Sequence, residues 1–255
     1  MYYTMLHHFA SSPKLGLPVS LLGAGMVAAM VVGVSPAAQA ASLVPQAEGE
    51  VNVGFASPLG GGSYLNLNPL IDSVTSLIDP STGTKSRLFV DRSGTANTYG
   101  GIQFRSNDLG TSDASGDYWF RPVAMLANGT APLMENGQLE VGTFEFKFKN
   151  TLSALTVNWF DTEYFNARAG VGTSYTVKYG DNTTETVFIP AGPNRNIQTT
   201  TLFNVSSITL NLGEKYGRTG DGVNFQVDVP EPSMILGLGA LVAVGLVQRR
   251  RTSEE

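Results

Sequence analysis

The 255-residue chain contains no cysteine, and its two histidines, His7 and His8, stand within the first eight positions. Beyond them there is neither imidazole nor thiol. This excludes disulfide staples, thiolate chemistry, Ser-His-Asp and Cys-His relays, and the His/Cys sets that hold zinc. Carboxylate chemistry and oxygen-ligated Ca2+ stay open. Charge is also scarce: Asp, Glu, Lys and Arg make up 15% of the chain, against about 25% in an average soluble domain. Positions 41–229 hold 12 basic and 18 acidic residues, a net charge of −6, without a basic cluster. Such a body lacks the positive footprint that nucleic acid requires. No period repeats along the sequence, which excludes a solenoid. What is plentiful is glycine, at 29 residues, together with Ser, Thr and Asn. That mix suits short strands joined by tight turns.

The two ends read as targeting segments around one domain. A weakly basic start (His7, His8, Lys14) leads into an apolar run from Leu15 to Val34 and then into Pro36-Ala37-Ala38-Gln39-Ala40. Ala38-Gln39-Ala40 is the small-residue pattern that signal peptidase accepts, so residues 1–40 are expected to be a signal peptide cut between Ala40 and Ala41. At the other end, residues 229–255 fall into three parts: Pro230-Glu231-Pro232, an apolar stretch over 233–248, and Arg249-Arg250-Arg251. Pro-x-Pro fixes φ, blocks helix and strand, and presents an extended segment. The most apolar part, Met234 to Val247, is 14 residues; at about 1.5 Å per residue, a helix of that length falls short of a hydrocarbon core of about 30 Å. Snorkelling arginines narrow the gap, and as a positive-inside signal they place the C-terminal end in the cytoplasm and the body outside.

This order of Pro-Glu-Pro, short apolar helix and terminal arginines resembles the PEP-CTERM sorting signal of bacteria that build extracellular matrix or complex envelopes. The resemblance implies that an exosortase, a membrane-embedded transpeptidase-like protease, removes the tail near Pro230, Glu231 and Pro232 and passes the body to the outer surface. The helix at 233–248 is then a temporary handle in the inner membrane.

Within the body, residues 41–228, period-two alternation dominates. Phe144, Phe146 and Phe148 alternate with Glu145, Lys147 and Lys149, predicting a strand with one dry and one wet face. Leu155, Val157 and Trp159 alternate in the same way, as do the runs 208–212 and 223–227. The runs 175–179 and 186–189 flank Gly180-Asp181-Asn182, a hairpin signal. Residues 41–62 read as a flexible or edge segment, and Asn68-Pro69 with Leu70, Val74, Leu77 and Ile78 as a short helix. The expected fold is all-β, a single antiparallel β-sandwich or jelly roll.

Asn136-Gly137-Gln138-Leu139-Glu140-Val141-Gly142 precedes the Phe-rich strand. With this tail, the tetrapeptide Leu139, Glu140, Val141 and Gly142 resembles the signature of the LEVG family of PEP-CTERM proteins, for which the resemblance implies no activity. Three acidic groups remain to be weighed. Asp113, Ser115 and Asp117, near Asn107 and Asp108, have the alternate spacing of a calcium loop, but Tyr118 stands where an EF-hand needs glycine. Asp161 with Glu163 has the composition of an acid/base pair, and equally of loop polarity. Gly220-Asp221-Gly222 reads as a turn. Tyr118, Trp119, Trp159 and Tyr164 are candidates for stacking on a sugar or for filling the core. The leading expectation is a non-catalytic cell-surface or matrix protein that needs no cofactor. Its expected partners are signal peptidase, an exosortase, the membrane until processing, and surface polysaccharide. A lectin-like module binding carbohydrate or Ca2+ is the alternative, and a carboxylate-based glycan-active enzyme the third reading.

Overall fold

The computed structural model describes residues 39–229 apart from 93, 105–116, 131–139, 163–164, 167–170, 194–195 and 214–221. Among the described residues all regular structure is strand. In chain order these are β1 (Gln39–Ser42), β2 (Gly49–Val51), β3 (Ile71–Leu77), β4 (Ser86–Arg92), β5 (Asn97–Tyr99), β6 (Ile102–Phe104) and β7 (Tyr118–Ala124). They continue as β8 (Gly142–Phe160), β9 (Phe165–Asn166), β10 (Val171–Gly172), β11 (Ser174–Tyr179), β12 (Thr184–Phe188), β13 (Ile197–Leu212) and β14 (Gly222–Val229). Ten of them form one antiparallel sheet in the order β12-β11-β13-β8-β14-β7-β4-β2, with β1 added to β14 and β3 to β8. The all-β expectation holds, and 144–148 and 155–159 belong to one long strand rather than two.

The sheet folds back on itself. Phe225 pairs with Val157, yet its ring packs 4.9 Å from that of Phe146, eleven residues earlier on the same strand. A straight strand would hold Phe146 and Val157 about 36 Å apart, at about 3.3 Å per residue. Trp159 likewise stacks 5.5 Å from Tyr175, whose place in the ladder is beside Leu210 and, through it, Phe144. β8 and β13 therefore bend together and run through two facing layers. One layer holds β3, the first half of β8, the second half of β13, β11 and β12. The other holds the remaining halves with β14, β7, β4 and β2.

The corner has a local cause. Val205 pairs with Leu152 and Ser207 with Lys147, so two steps on β13 face five on β8. Lys149, Asn150 and Thr151, in the surplus, are exposed. Across from them Asn204 takes φ 58°, a left-handed conformation that asparagine tolerates better than most residues. Its carbonyl accepts from Gly180 N–H at 2.8 Å, joining the β11–β12 hairpin to the corner.

The alternation read in the sequence is realised. Phe144, Phe146, Phe148, Leu155, Val157, Trp159, Val223, Phe225 and Val227 all lie in the core. The hairpin also forms where expected, with Asn182 at φ 67° and Asp181 accepting from Thr183 N–H.

Two expectations are corrected. Residues 71–77 are strand, not helix. A bulge between Ile71 and Ser73 shifts the register, so the inward residues are Ile71, Val74 and Ser76. The bulge makes the first inward interval three residues, which in sequence imitates a helical face. Asn68 does not cap a helix; its side chain accepts from Leu70 N–H and donates to the Ser42 carbonyl. Residues 41–62 are anchored rather than loose. Leu43, Val44, Val51 and Val53 are fully buried in the main core, although β2 is an edge strand as expected.

Strands β4 and β7 show little alternation because both their faces are covered. Leu88, Val90 and Phe120 face the main core, while Phe89 and Val123 pack with Ile102 and Phe104 of the β5–β6 hairpin. Pro122 is tolerated inside β7 because the pairing with β14 amounts to Val223 with Phe120 alone, so no ladder on that side needs its missing N–H.

If Phe146 holds the two layers together, Phe146→Ala will cost about 3–5 kcal/mol, whereas Lys147→Ala on the wet face will stay within about 0.5 kcal/mol. Urea unfolding followed by the fluorescence of Trp119 and Trp159, the chain's two tryptophans, measures both; equal effects would contradict this account of the corner.

Candidate functional site

Two places in the fold collect the residues singled out in the sequence. The first is where the expected leader and the expected tail meet the body. β14 ends at Val229, directly before Pro230. β1 lies antiparallel on it, pairing Gln39 with Val229, Ala40 with Asp228, Ala41 with Val227 and Ser42 with Gln226. The expected cleavage bond, Ala40–Ala41, is thus inside a strand. Ala40 is exposed and Ala41 half-buried against the core. Beyond it Leu43 N–H donates to the Phe225 carbonyl at 2.8 Å. Ala38, Pro230, Glu231, Pro232, the stretch 233–248 and Arg249, Arg250 and Arg251 lie outside the described residues. Among the described residues no helix is long and apolar enough to cross a membrane.

The second place is the outer face of β2, β4 and β7, where alternate side chains that ought to be wet are buried and charged. Arg121 of β7 is fully buried. Its guanidinium donates to Asp91 Oδ2 at 2.9 Å and to Glu140 Oε1 at 3.4 Å, and lies over the Phe104 ring. Arg87 pairs with Glu50 and covers Phe55. Glu50 Oε2 also accepts from Leu59 N–H at 2.6 Å, tying the segment after β2 to this face. Burial pushes the Asp91 carboxyl above its ordinary value, against the pull of Arg121. Asp91 Oδ1 and Trp119 Nε1, on residues directly opposite across β4 and β7, have no hydrogen-bond partner among the described residues.

The tetrapeptide at 139–142 acquires a physical meaning here. Leu139 lies outside the described residues. Glu140 supplies the second carboxylate to Arg121. Val141 is fully buried and its carbonyl accepts from Ser86 Oγ at 2.7 Å. Gly142 opens β8 against Ser86 and Phe144, where any side chain would collide with both. Sequence reasoning noticed the tetrapeptide but missed Arg121 and Asp91. The available signal was an arginine inside the apolar run Trp119-Phe120-Arg121-Pro122-Val123 in a chain poor in charge.

The other candidates are dispersed. Of the calcium-like set, Asp117 is exposed just before β7, while Asp113, Ser115, Asn107 and Asp108 lie outside the described residues. Among the described residues no three Asp, Glu, His or Cys side chains gather closely enough to hold a metal ion. Asp161 is buried, at φ 49°, with its N–H on the Asn196 carbonyl, and Glu163 lies outside the described residues. Gly222 begins β14, so close to the Phe120 carbonyl that a β-carbon has no room; Gly220 and Asp221 lie outside the described residues. Trp119 packs edge-on against Phe160, and Trp159 stacks on Tyr175 and donates to Thr200 Oγ1. Both tryptophans are core side chains and offer no platform for a sugar. Tyr118 lies under the Arg92 guanidinium, and Tyr164 lies outside the described residues. An open cleft of about 330 Å³ near Ile78, Phe55, Met125 and Leu126 is apolar, with Lys85 the one charged side chain in its lining.

Comparison with known families matches residues 228–251 to the PEP-CTERM protein-sorting motif. No curated protein matches the chain. The match begins at Asp228, inside β14, and includes Pro230-Glu231-Pro232 and the three arginines. The chain therefore carries a PEP-CTERM sorting motif, which implies export and surface targeting with an exosortase as processing partner.

The buried cluster generates a stability prediction. Arg121→Leu takes away the guanidinium that Asp91 and Glu140 share beneath the surface, and will cost about 3–5 kcal/mol at neutral pH. A carboxyl whose pKa is raised on folding favours the folded state while protonated, and that contribution fades as pH rises past the folded value. Asp91 is shifted in this direction, and loss of Arg121 shifts it further. The deficit of the variant will therefore narrow as pH falls from about 7 toward about 4. Urea midpoints of both proteins across that range test this; a deficit that does not change with pH would show that packing, not charge, is what Arg121 supplies.

Proposed function

We propose that this protein is an exported, non-catalytic component of the cell surface or extracellular matrix, delivered by leader cleavage after Ala40 and released by exosortase removal of its tail. The observation that carries the reading is the meeting of motif and fold. The last strand ends at Val229, and Pro230-Glu231-Pro232 follows without a linker. Folded body and sorting signal are thus adjacent, which suits a tail that is discarded and a body that is delivered. The short apolar stretch at 233–248 and the three arginines serve as a handle in the inner membrane until the cut is made.

The non-catalytic reading is supported by the distribution of the chemistry. Imidazole and thiol are absent after position 8. The charged side chains that the fold brings together, Arg121, Asp91 and Glu140, are committed to one another beneath the surface. The outer faces of the long strands carry hydroxyl and amide pairs across the ladder, such as Thr156 with Thr201, Asn158 with Thr199 and Thr176 with Thr186. These pairs are polar and uncharged, and they lie beside the charged row Glu145, Lys147 and Lys149 on the first half of β8, a surface fitted to a crowded, hydrated matrix.

Fractionation of the wild type against a deletion of Pro230 to Pro232 tests the sorting reading. The wild-type body is expected at the cell surface or in the medium, ending near position 230 by intact mass. The deletion variant is expected to keep its whole tail and stay with the membrane. The same mature mass and location for both proteins would overturn the proposal.

A further inference from the structure

The ladder between β1 and β14 joins the two processing sites. Among the described residues, β14 pairs with β8 from Gly222 to Gln226 and with β7 at Val223. Val227, Asp228 and Val229 pair with β1 alone, facing Ala41, Ala40 and Gln39. Cleavage between Ala40 and Ala41 removes two of these three partners. Hydrolysis leaves water's hydroxyl on the Ala40 carboxyl and an amino terminus on Ala41. The remaining stub stays docked, because Leu43 and Val44 are buried and Leu43 N–H is bonded to Phe225. Asp228 and Val229 then lead into Pro230 as an extended segment without a ladder partner in β1. The sorting motif begins at Asp228, the first residue so released.

We infer that N-terminal cleavage licenses C-terminal processing: in the uncleaved precursor Gln39 and Ala40 hold the approach to Pro-Glu-Pro in the sheet, and their removal frees it for the exosortase. The inference rests on the proposed leader cleavage and tail removal. Its physical basis is general. Proteases take their substrates as extended strands through backbone hydrogen bonds, and a strand already paired must first open. The ladder has three features that suit such a device. It is short, it lies at the end of β14, and its outer members belong to the segment that signal peptidase discards. A body still tethered by its leader thereby keeps its tail, so the two cuts occur in one order.

Three full-length chains in the native host test this, with leader and tail followed by pulse-chase and intact mass. Ala40→Phe blocks the first cut, and because Ala40 is exposed the larger side chain fits the paired strand. This variant is expected to keep its leader and lose its tail about tenfold more slowly than wild type, the order expected if one or two backbone hydrogen bonds must open first. Adding Gln39→Pro removes a ladder N–H while the leader stays attached, and is expected to restore the wild-type rate of tail loss. Tail loss at the wild-type rate in Ala40→Phe would overturn the inference. Failure of Gln39→Pro to restore it would also overturn the inference, by showing that the leader's tether and not the pairing delays the cut. A wild-type chain that keeps its tail would instead overturn the processing reading itself.

Discussion

Two strands, β8 and β13, belong to both layers of the fold, and the corner at which they turn together is the constraint on which the rest of the structure depends. A backbone hydrogen-bond ladder resists sharp bending because each rung satisfies two polar groups. Here the bend is made by placing five residues of β8 against two steps of β13 and letting Asn204 take a left-handed conformation. Once turned, the strands bring Phe146 onto Phe120 and Phe225, and Trp159 onto Tyr175. Aromatic rings meet across the layers at the centre of a core otherwise filled by Leu, Val and Ile, and the chain, without cysteine, closes it by packing alone.

The outer face of β2, β4 and β7 is built on a different principle. Arg121, Asp91, Glu140, Arg87 and Glu50 are all buried there, beside the β5–β6 hairpin. Desolvating such groups costs several kcal/mol each before their mutual attraction repays it. Glu140 enters the cluster two residues before β8 begins, so its pairing with Arg121 helps set where the long strand starts relative to β7. This gives a structural reason for the Glu-Val-Gly sequence at 140–142.

The same sheet brings the two ends of the body together. β14 touches the core through Val223, Phe225 and Val227 and ends at Val229. β1 covers its last residues. The sorting motif begins inside this last strand, at Asp228, where Ala40 of β1 lies opposite.

Much of this was legible without coordinates. Period-two alternation in 144–148, 155–159 and 223–227 identified strands because one face of each is dry and the other wet. Gly180-Asp181-Asn182 identified a hairpin through its turn chemistry. The order of Pro-Glu-Pro, apolar stretch and arginines identified the tail, because such a signal is read locally by composition and sequence order. The strand at 71–77 was misread as helix because a bulge changed its period. β4 and β7 were hard to read because both faces are buried. The partnership of Arg121 with Asp91 and Glu140 was hidden because it joins residues 19 and 30 positions apart. The sequence by itself determined that this is an exported β-protein with a sorting tail, since each of those properties is encoded within a short window. Only the tertiary structure decided which strands share the corner, which charges meet beneath the hairpin and which residues of β1 lie opposite the start of the sorting motif. Those are facts of long-range pairing, and no local pattern specifies the partner.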